Sequence, residues 1–425
     1  MKSNLLVIVC LFFVAGLFAQ TPGEKKKSNI KLNFSGYIKN DYFLDTRQTI
    51  SAREGHFLLF PSPVKLDPDG NDINAVPNFN FLSIQSRVRL TVTGARAFNA
   101  DITGKLEADF FGQLNPNINL LRLRLAYINM DWGNTELRLG QDWIPMFITD
   151  CYPGTVSFNT GTPIQPFGRN PQIRLTQKFG KVKLIGIASS QRDYASRAPV
   201  TALSAASVAS GSYLRNSAIP ELSLQLHYKS VDKEAGTALI TGVGASYKTI
   251  KPLLETGNGY KTYARVSSMN AIVFMKYQAK KITFKIEGIY GENIPDVLSI
   301  GGFLVSDSIN LVKGFVDYSP IATASAWTDI HTNGKKIQVG LFAGYTQNLG
   351  AKNDMVGPVY GLGTNIANLY RISPRVIYNS GKMRFALEFE YTVANYGSTR
   401  DAKGVPTDLT EAANLRTLFA AYYFF

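Results

Sequence analysis

The feature that most constrains this chain of 425 residues is an alternation of apolar and polar side chains with a period of two. That period is typical of a β-strand with one apolar face, whereas an amphipathic helix repeats every 3.6 residues. The sequence therefore predicts an all-β protein with sixteen strands. The predicted strands cover residues 30–44, 78–93, 99–111, 117–132, 134–141, 170–179, 181–190, 219–230, 238–250, 261–279, 281–292, 318–331, 336–348, 366–379, 382–396 and 412–425.

The connections between these segments alternate between short and long. Outer-membrane barrels have short periplasmic turns and long external loops, whereas a secreted β-sandwich has no reason to follow this parity. We therefore predict a closed transmembrane antiparallel β-barrel of about sixteen strands. Tight turns are predicted at Gly133-Asn134, Gly180, Ala279-Lys280, Asn333-Gly334 and Ser380-Gly381. Long connections occupy 45–77, 142–169, 191–218, 293–317, 349–365 and 397–411.

The amino-terminal residues have the pattern of a secretory signal peptide, which we assign to residues 1–19. Lys2 precedes an apolar run over residues 5–18, and the small residue Ala19 follows it. The run is shorter than the ~20 residues of a membrane-spanning helix. A lipoprotein anchored through Cys10 is an alternative, but it would leave almost no apolar stretch before the cysteine.

The carboxyl-terminal strand ends with Tyr423 and Phe425 on one face. This ending resembles the terminal assembly signal of outer-membrane barrels, and a soluble protein would leave it as an aggregation-prone edge. We therefore expect residues 20–29 to be a short periplasmic segment and residues 30–425 to be a barrel. Its expected location is the outer membrane of a Gram-negative bacterium, where barrel-assembly machinery, lipid and lipopolysaccharide would be partners.

The chain has 45 Lys and Arg residues against 31 Asp and Glu residues, a formal net charge of +14. An exported protein seldom meets nucleic acid, so we expect lipopolysaccharide phosphates or anions drawn into a pore as partners. Removal of the signal leaves Cys151 as the one remaining cysteine, which excludes an intramolecular disulfide.

The alternation also predicts which side chains face lipid and which face the lumen. Leu82, Ile84 and Val88 are expected to face lipid in one segment, and Leu125 and Tyr127 in another, together with their apolar neighbours. A charge at mid-depth on the lipid side costs ~2–4 kcal/mol, so the intervening arginines should point inward. The predicted lining residues are Arg87, Arg89, Arg122, Arg124, Arg138, Arg174, Arg371 and Arg375.

Acidic residues on the same predicted inner face leave two compatible interpretations of this arginine set. Glu107 and Asp109 lie on one segment, and Glu388 and Glu390 on another. The charges could form salt bridges that stiffen the barrel, or the arginines could form a cationic wall that concentrates anions.

The connection over residues 142–169 is the third external loop if the amino terminus starts on the periplasmic side. With 28 residues and many Pro and Gly, it is too long for a simple connection. We predict that it folds inward and narrows the pore, with Trp143, Asp150 and Tyr152 as constriction residues. The alternative is an ordinary surface loop.

Two short stretches carry a family resemblance. Leu121 to Tyr127 reads LRLRLAY, and Leu137 to Trp143 reads LRLGQDW just before the third loop. Together they resemble the DcaP-like trimeric porins. That resemblance implies a homotrimeric channel that prefers anions such as dicarboxylates. Those porins can carry an amino-terminal coiled coil, for which residues 20–29 leave little room.

The sequence thus predicts a porin for passive diffusion of small hydrophilic solutes, without cofactor, metal or enzymatic activity. The alternatives are a structural or adhesin-type barrel without channel activity and, less favoured, an outer-membrane enzyme. The chain has three histidines, His56, His227 and His331, and none has an evident serine partner. Histidine and cysteine do not cluster at metal-ligand spacing.

Overall fold

The computed structural model describes residues 30–112, 115–201, 203–204, 206–310 and 312–425, which form a closed antiparallel β-barrel of sixteen strands. The predicted signal peptide (1–19) and the segment 20–29 lie outside the described residues. We number the barrel strands β1 to β16. They are Lys31–Asp45, Asn78–Leu82 with Arg87–Ala97 (β2, in two parts), Ala100–Asp109, Arg122–Asp131, Thr135–Trp143, Arg169–Phe179, Val182–Ser189, Glu221–Asp232, Thr237–Ile250, Val266–Gln278, Ile282–Glu292, Phe315–Thr332, Ile337–Ala351, Ile366–Ser380, Met383–Arg400 and Pro406–Phe424.

The barrel closes because β1 pairs with strands on both sides. Tyr37 lies opposite Phe424 of β16, and Leu32 lies opposite Val92 of β2. Closure leaves no free edge in the sheet, so the backbone groups of all sixteen strands can bond to neighbouring strands.

The short connections gather at one end of the barrel, which we call the turn end, and the long ones at the other, the loop end. The predicted tight turns join β4 to β5, β6 to β7, β10 to β11, β12 to β13 and β14 to β15, as expected. Gly133, Gly180 and Gly381 have φ of +92°, +59° and +56°, a left-handed conformation that hairpin turns require and that glycine adopts without strain.

A belt of exposed apolar side chains surrounds the barrel wall. Examples on five strands are Leu123, Ile173, Val243, Val273 and Val376, which are 48–58% exposed. Aromatic residues lie near the strand ends of the turn end: Phe98, Trp132, Phe179, Tyr277 and Tyr378. An apolar surface of this extent is not stable in water, and aromatic girdles mark membrane interfaces.

Little helix is present. A four-residue α-helix spans Ser212–Arg215, and single 3₁₀ turns span Asn115–Asn117 and Pro295–Val297. Across the described residues, no helix has the length and apolar character needed to cross a membrane.

The structure corrects the predicted faces of three side chains. Ile84 is 3% exposed and packs inside the barrel, because β2 is interrupted between Leu82 and Arg87. Leu125 and Tyr127 also face inward. Arg124 is an extra residue at a β-bulge, where Leu123 pairs with Ala108 and Leu125 pairs with Glu107, and the bulge inverts the alternation.

Three of the long connections fold into the lumen near the loop end and pack there as one apolar core. The first loop contributes a hairpin of Thr49–Ala52 and Phe57–Pro61, the third contributes Phe158 and Phe167, and the connection after β11 contributes Val297. The sequence did not predict that the first loop enters the barrel. Two further short pairs lie in the external connections: Arg197–Pro199 with Ser207–Ala209, and Gly301–Asn310 with Val359–Leu362.

Candidate functional site in the barrel interior

The third loop crosses the lumen between the end of β5 and the start of β6, and carboxylates of β15 bind its backbone. The amides of Val156 and Ser157 donate to the two oxygens of Glu388, over 2.7 and 2.9 Å. The side-chain amide of Asn159 donates to Glu390 over 2.7 Å. Glu388 and Glu390, which the sequence placed on the inner face, therefore hold the loop against the wall opposite β5, from which it starts.

Cations from three other strands bind carbonyl groups of the same loop. Lys39 of β1 donates to the Val156 carbonyl over 2.9 Å, and Lys285 of β11 donates to the Tyr152 carbonyl over 2.8 Å. Arg371 of β14 donates to the Thr162 carbonyl over 2.7 Å. Hydrogen bonds with a charged partner are about twice as strong as neutral ones, so these contacts fix the position of the loop.

The predicted constriction residues take different positions. Trp143 is half-buried and stacks on Phe147, with ring centroids 4.0 Å apart. Tyr152 also stacks on Phe147, with ring centroids 5.3 Å apart, and is 42% exposed. Asp150 is exposed.

A cavity of about 570 Å³ lies between the third loop and the inner wall formed by the first strands. Four of the eight predicted arginines border it: Arg87, Arg89, Arg124 and Arg138. Two cations that the sequence analysis missed border it as well, Lys105 and Arg384. Lys105 is two residues from Glu107, and Arg384 four residues from Glu388, so the period of two already placed both on the inner face.

The charges around the cavity are strongly unequal. Six cations border it against two carboxylates, Glu107 and Asp142. Glu107 is shared by Arg87, Arg89 and Arg124 at 3.8, 2.5 and 2.8 Å. Asp142 pairs with Arg138 at 2.5 Å. Lys105 and Arg384 have no carboxylate within 4.0 Å among the described residues, so neither forms a direct ion pair there.

Neither the protein-family profiles nor the curated protein sequences match the chain. Among solved structures, the outer-membrane channel DcaP of Acinetobacter baumannii is similar with a TM-score of 0.67 and 15% identity, over 95% of this chain and 99% of that one. The chain has the fold of the outer-membrane porins.

Two other similar structures support that fold. The anion-selective porin of Comamonas acidovorans has a TM-score of 0.53 and 12% identity, over 93% of this chain and 100% of that one. OmpT of Vibrio cholerae has a TM-score of 0.52 and 12% identity, over 94% and 99%. The porin fold and the outward apolar belt place this barrel in the outer membrane of a Gram-negative bacterium.

The remaining predicted arginines lie elsewhere in the porin fold. Arg122 lies nearer the loop end, 3.0 Å from Asp109 and 3.7 Å from Asp193. Burial alone would raise the pKa of the Asp193 carboxyl, which follows β7, but the charges of Arg169 and Arg122 outweigh it and hold that pKa below its usual range. This cluster is a set of compensated charges.

Arg371, Arg375 and Arg174 make structural contacts. Arg371 is completely buried and lies 3.6 Å from Glu390. Arg375 pairs with Asp329 at 2.9 Å beside a smaller cavity of about 180 Å³. Arg174 is half-buried and donates to the Trp143 carbonyl over 3.2 Å.

Two of the three histidines contact carboxylates, and the third, His227, packs edge-on against Phe274 with ring centroids 4.9 Å apart. His56 lies 2.8 Å from Asp41, and its other ring nitrogen is buried without a hydrogen-bond partner in the described part of the chain. His331 lies 3.0 Å from Asp329. Within the same described ranges, no group of three or more His, Cys, Asp or Glu residues could hold a metal ion.

The carboxyl-terminal residues lie at the seam of the porin fold, where β16 meets β1. Tyr423 and Phe425 are each 44% exposed. The Phe425 amide donates to the Gly36 carbonyl over 3.2 Å, so the last residue of the chain continues the ladder that closes the barrel.

Proposed function

We propose that this protein is an outer-membrane porin that lets small hydrophilic solutes diffuse passively and prefers anions, such as dicarboxylates. The observation that carries the proposal is the cavity beside the third loop, with six cations against two carboxylates. Such an excess of one charge raises the local concentration of ions of the opposite sign. Rings of basic side chains serve anion selection in other pores.

Both interpretations of the arginines have support, for different residues. Arg124 is 1% exposed and contacts Glu107 and Asp109 at 2.8 and 2.9 Å, as a stiffening salt bridge would. Lys105 and Arg384, in contrast, have no carboxylate within 4.0 Å among the described residues, and the Arg89 side chain is 39% exposed although it pairs with Glu107 at 2.5 Å. We infer that the second group attracts the permeating anion.

Three further features belong to the proposal. The third loop would narrow the pore, since charged groups from four strands hold it across the lumen. The carboxyl-terminal strand would be the signal for the barrel-assembly machinery, and lipopolysaccharide would surround the loop end. We also propose a homotrimer, supported by the fold similarity to a structure described as the trimer form of Vibrio cholerae OmpT.

One observation favours the alternative of a structural barrel without channel activity. The loops inside the lumen form an apolar core that includes Phe57, Phe158 and Phe167, all at most 4% exposed. A core of this kind resists water and ions, so the loop end would need to retain a polar path beside it for conduction.

Single-channel recording in a planar bilayer separates the two functions. We expect stepwise, ohmic currents. In a KCl gradient, we expect the reversal potential to shift toward the equilibrium potential of chloride. Insertions that conduct but select cations would contradict the anion preference. Barrels that insert and remain silent at all salt concentrations would overturn the porin function in favour of the structural barrel. Native mass spectrometry of the detergent-extracted protein tests the trimer.

A further inference from the structure

We propose that the cavity beside the third loop is a binding site for aromatic carboxylate anions. The inference rests on the proposed anion-conducting function and names a substrate class for it. Two aromatic clusters and two uncompensated cations border the same cavity. This combination suits a ligand with a negative charge at one end and a flat apolar ring at the other.

The first aromatic cluster is a ladder on the third loop. Trp143 and Phe147 stack with centroids 4.0 Å apart and planes 13° apart, and Phe147 and Tyr152 stack at 5.3 Å and 29°. Tyr152 is the outermost ring of the ladder and is 42% exposed. The Lys285 ammonium lies 5.4 Å from the centre of this ring, and the part of the ring that stays exposed can accept another ring in a stacked or edge-on arrangement.

The second cluster lies on the wall around the seam of the barrel. Tyr37 lies 5.8 Å from both Tyr422 and Phe424, and all three rings are half-buried. The Arg384 guanidinium lies 5.2 Å from the centre of the Phe424 ring and 5.9 Å from that of Tyr422. A cation and apolar rings are thus next to each other on this wall.

The other uncompensated cation has the same kind of neighbour. The Lys105 ammonium lies 5.9 Å from the centre of the Tyr127 ring. The Arg138 guanidinium lies 4.4 Å from the centre of the same ring, so the rings offered to an aryl group on a bound carboxylate are those of the ladder and of the seam. A planar ring gains stacking contacts there, whereas a puckered ring of equal charge does not.

The size of the cavity agrees with such a ligand. Its volume of about 570 Å³ is within the usual range for sites that bind small molecules. The charge excess opposes cations, and the aromatic surface offers no advantage to small inorganic anions. Chloride would pass as the counter-ion, and an aryl carboxylate would stay longer.

The test compares benzoate with cyclohexanecarboxylate, two monoanions of equal charge and similar size, of which only benzoate is flat. Each is added to chloride-conducting single channels, and the concentration that halves the current is measured. We expect benzoate to act at a concentration about two- to tenfold lower. Equal half-blocking concentrations for benzoate and cyclohexanecarboxylate would overturn the inference.

Substitutions of Tyr152 locate the effect. Tyr152→Leu removes the exposed ring and is expected to abolish the preference for benzoate, whereas Tyr152→Phe is expected to retain it. Tyr263→Leu, at an external residue that is 73% exposed, is the matched control and should change nothing. A benzoate preference unchanged in Tyr152→Leu would place binding outside the ladder and contradict the proposed site.

A binding measurement that does not depend on conduction separates failure of the proposed porin function from failure of the aromatic site. The detergent-solubilised protein is titrated with each anion in a calorimeter. Silent channels with tighter benzoate binding would overturn conduction and support the site. Conducting channels with equal binding of the two anions would leave the porin function and overturn the aromatic site.

Discussion

At the scale of the residue, the charges inside the barrel divide into compensated and uncompensated groups. Arg124 belongs to the first group, since it is nearly fully buried between Glu107 and Asp109. Lys105 and Arg384 belong to the second, having no carboxylate within 4.0 Å among the residues described. Substitutions in the two groups should therefore change different properties, stability in one and ion selectivity in the other.

Arg124→Ala is predicted to lower the free energy of unfolding by about 1.5–3 kcal/mol, because it removes buried charge-assisted hydrogen bonds to Glu107 and Asp109, each of which keeps another arginine as a partner. Urea unfolding in lipid or detergent measures the change. Arg96→Ala is the control. It breaks the pair with Asp101, whose side chains are 70% and 77% exposed, and should cost less than about 1 kcal/mol. Equal effects would show that the Arg124 pairs do not stabilise the barrel.

Lys105→Gln is predicted to lower the anion-to-cation permeability ratio about sevenfold, since one positive charge some ~7 Å away lowers the energy of an anion in water by ~0.6 kcal/mol and raises that of a cation by the same amount. Reversal potentials in a KCl gradient give the ratio. Lys105→Arg should retain the original ratio, and so should Lys280→Gln, in an exposed turn. A ratio that stays constant in Lys105→Gln would remove this residue from the selectivity mechanism.

At the scale of the element, the third loop depends on charged groups of the wall opposite its origin. Glu388 accepts hydrogen bonds from two consecutive loop amides, and its side chain is completely buried. A glutamine has one oxygen where the carboxylate has two, so one amide would lose its acceptor. A buried amide without a partner costs about 1–3 kcal/mol.

Glu388→Gln is accordingly predicted to loosen the loop and to increase the current noise of the open channel about twofold or more, in line with that cost. Noise analysis of single-channel recordings measures it. Glu411→Gln, on an exposed side chain of β16, is the matched control and should leave the noise unchanged. Quiet channels in Glu388→Gln would mean that Glu390 and the three cations suffice to hold the loop.

At the scale of the whole molecule, the barrel exists because its first and last strands meet. The approach is close at Gly36, where an added Cβ would lie 2.1 Å from the Arg87 carbonyl oxygen and 2.7 Å from the Phe425 ring. The seam therefore accepts only glycine there without a shift of the backbone. The terminal aromatic ring covers this glycine.

Deletion of Phe425 is predicted to reduce the amount of assembled barrel in the outer membrane severalfold, because it removes a ladder hydrogen bond and the outward-facing aromatic ring and leaves the inward-facing Phe424 at the end of the strand. The heat-modifiable mobility of the protein in isolated membranes measures the folded fraction. Phe425→Tyr keeps an aromatic ring and should assemble normally. Normal assembly of the deletion variant would contradict the role of the terminal residue as a signal.

The sequence by itself determined the strands, the parity of turns and loops and most of the inner face, because the period of two and the turn residues are local properties of the chain. Lys105 and Arg384 could have been placed on that face by the same rule. Only the tertiary structure decided where this alternation of inward and outward side chains is interrupted. The bulge at Arg124 turns Leu125 and Tyr127 inward, and a break in β2 does the same for Ile84.

Tertiary structure also decided which of the inward charges are available to a solute. Arg124 and Lys105 are both cations on the inner face, but carboxylates from other positions neutralise only Arg124. The entry of the first loop into the lumen likewise depends on contacts between residues far apart, such as Phe57 with Phe167. Such contacts leave no periodic trace in the sequence, because they depend on how loops from several strands pack together. The barrel follows from local pattern, and the charge and shape of its interior follow from that packing.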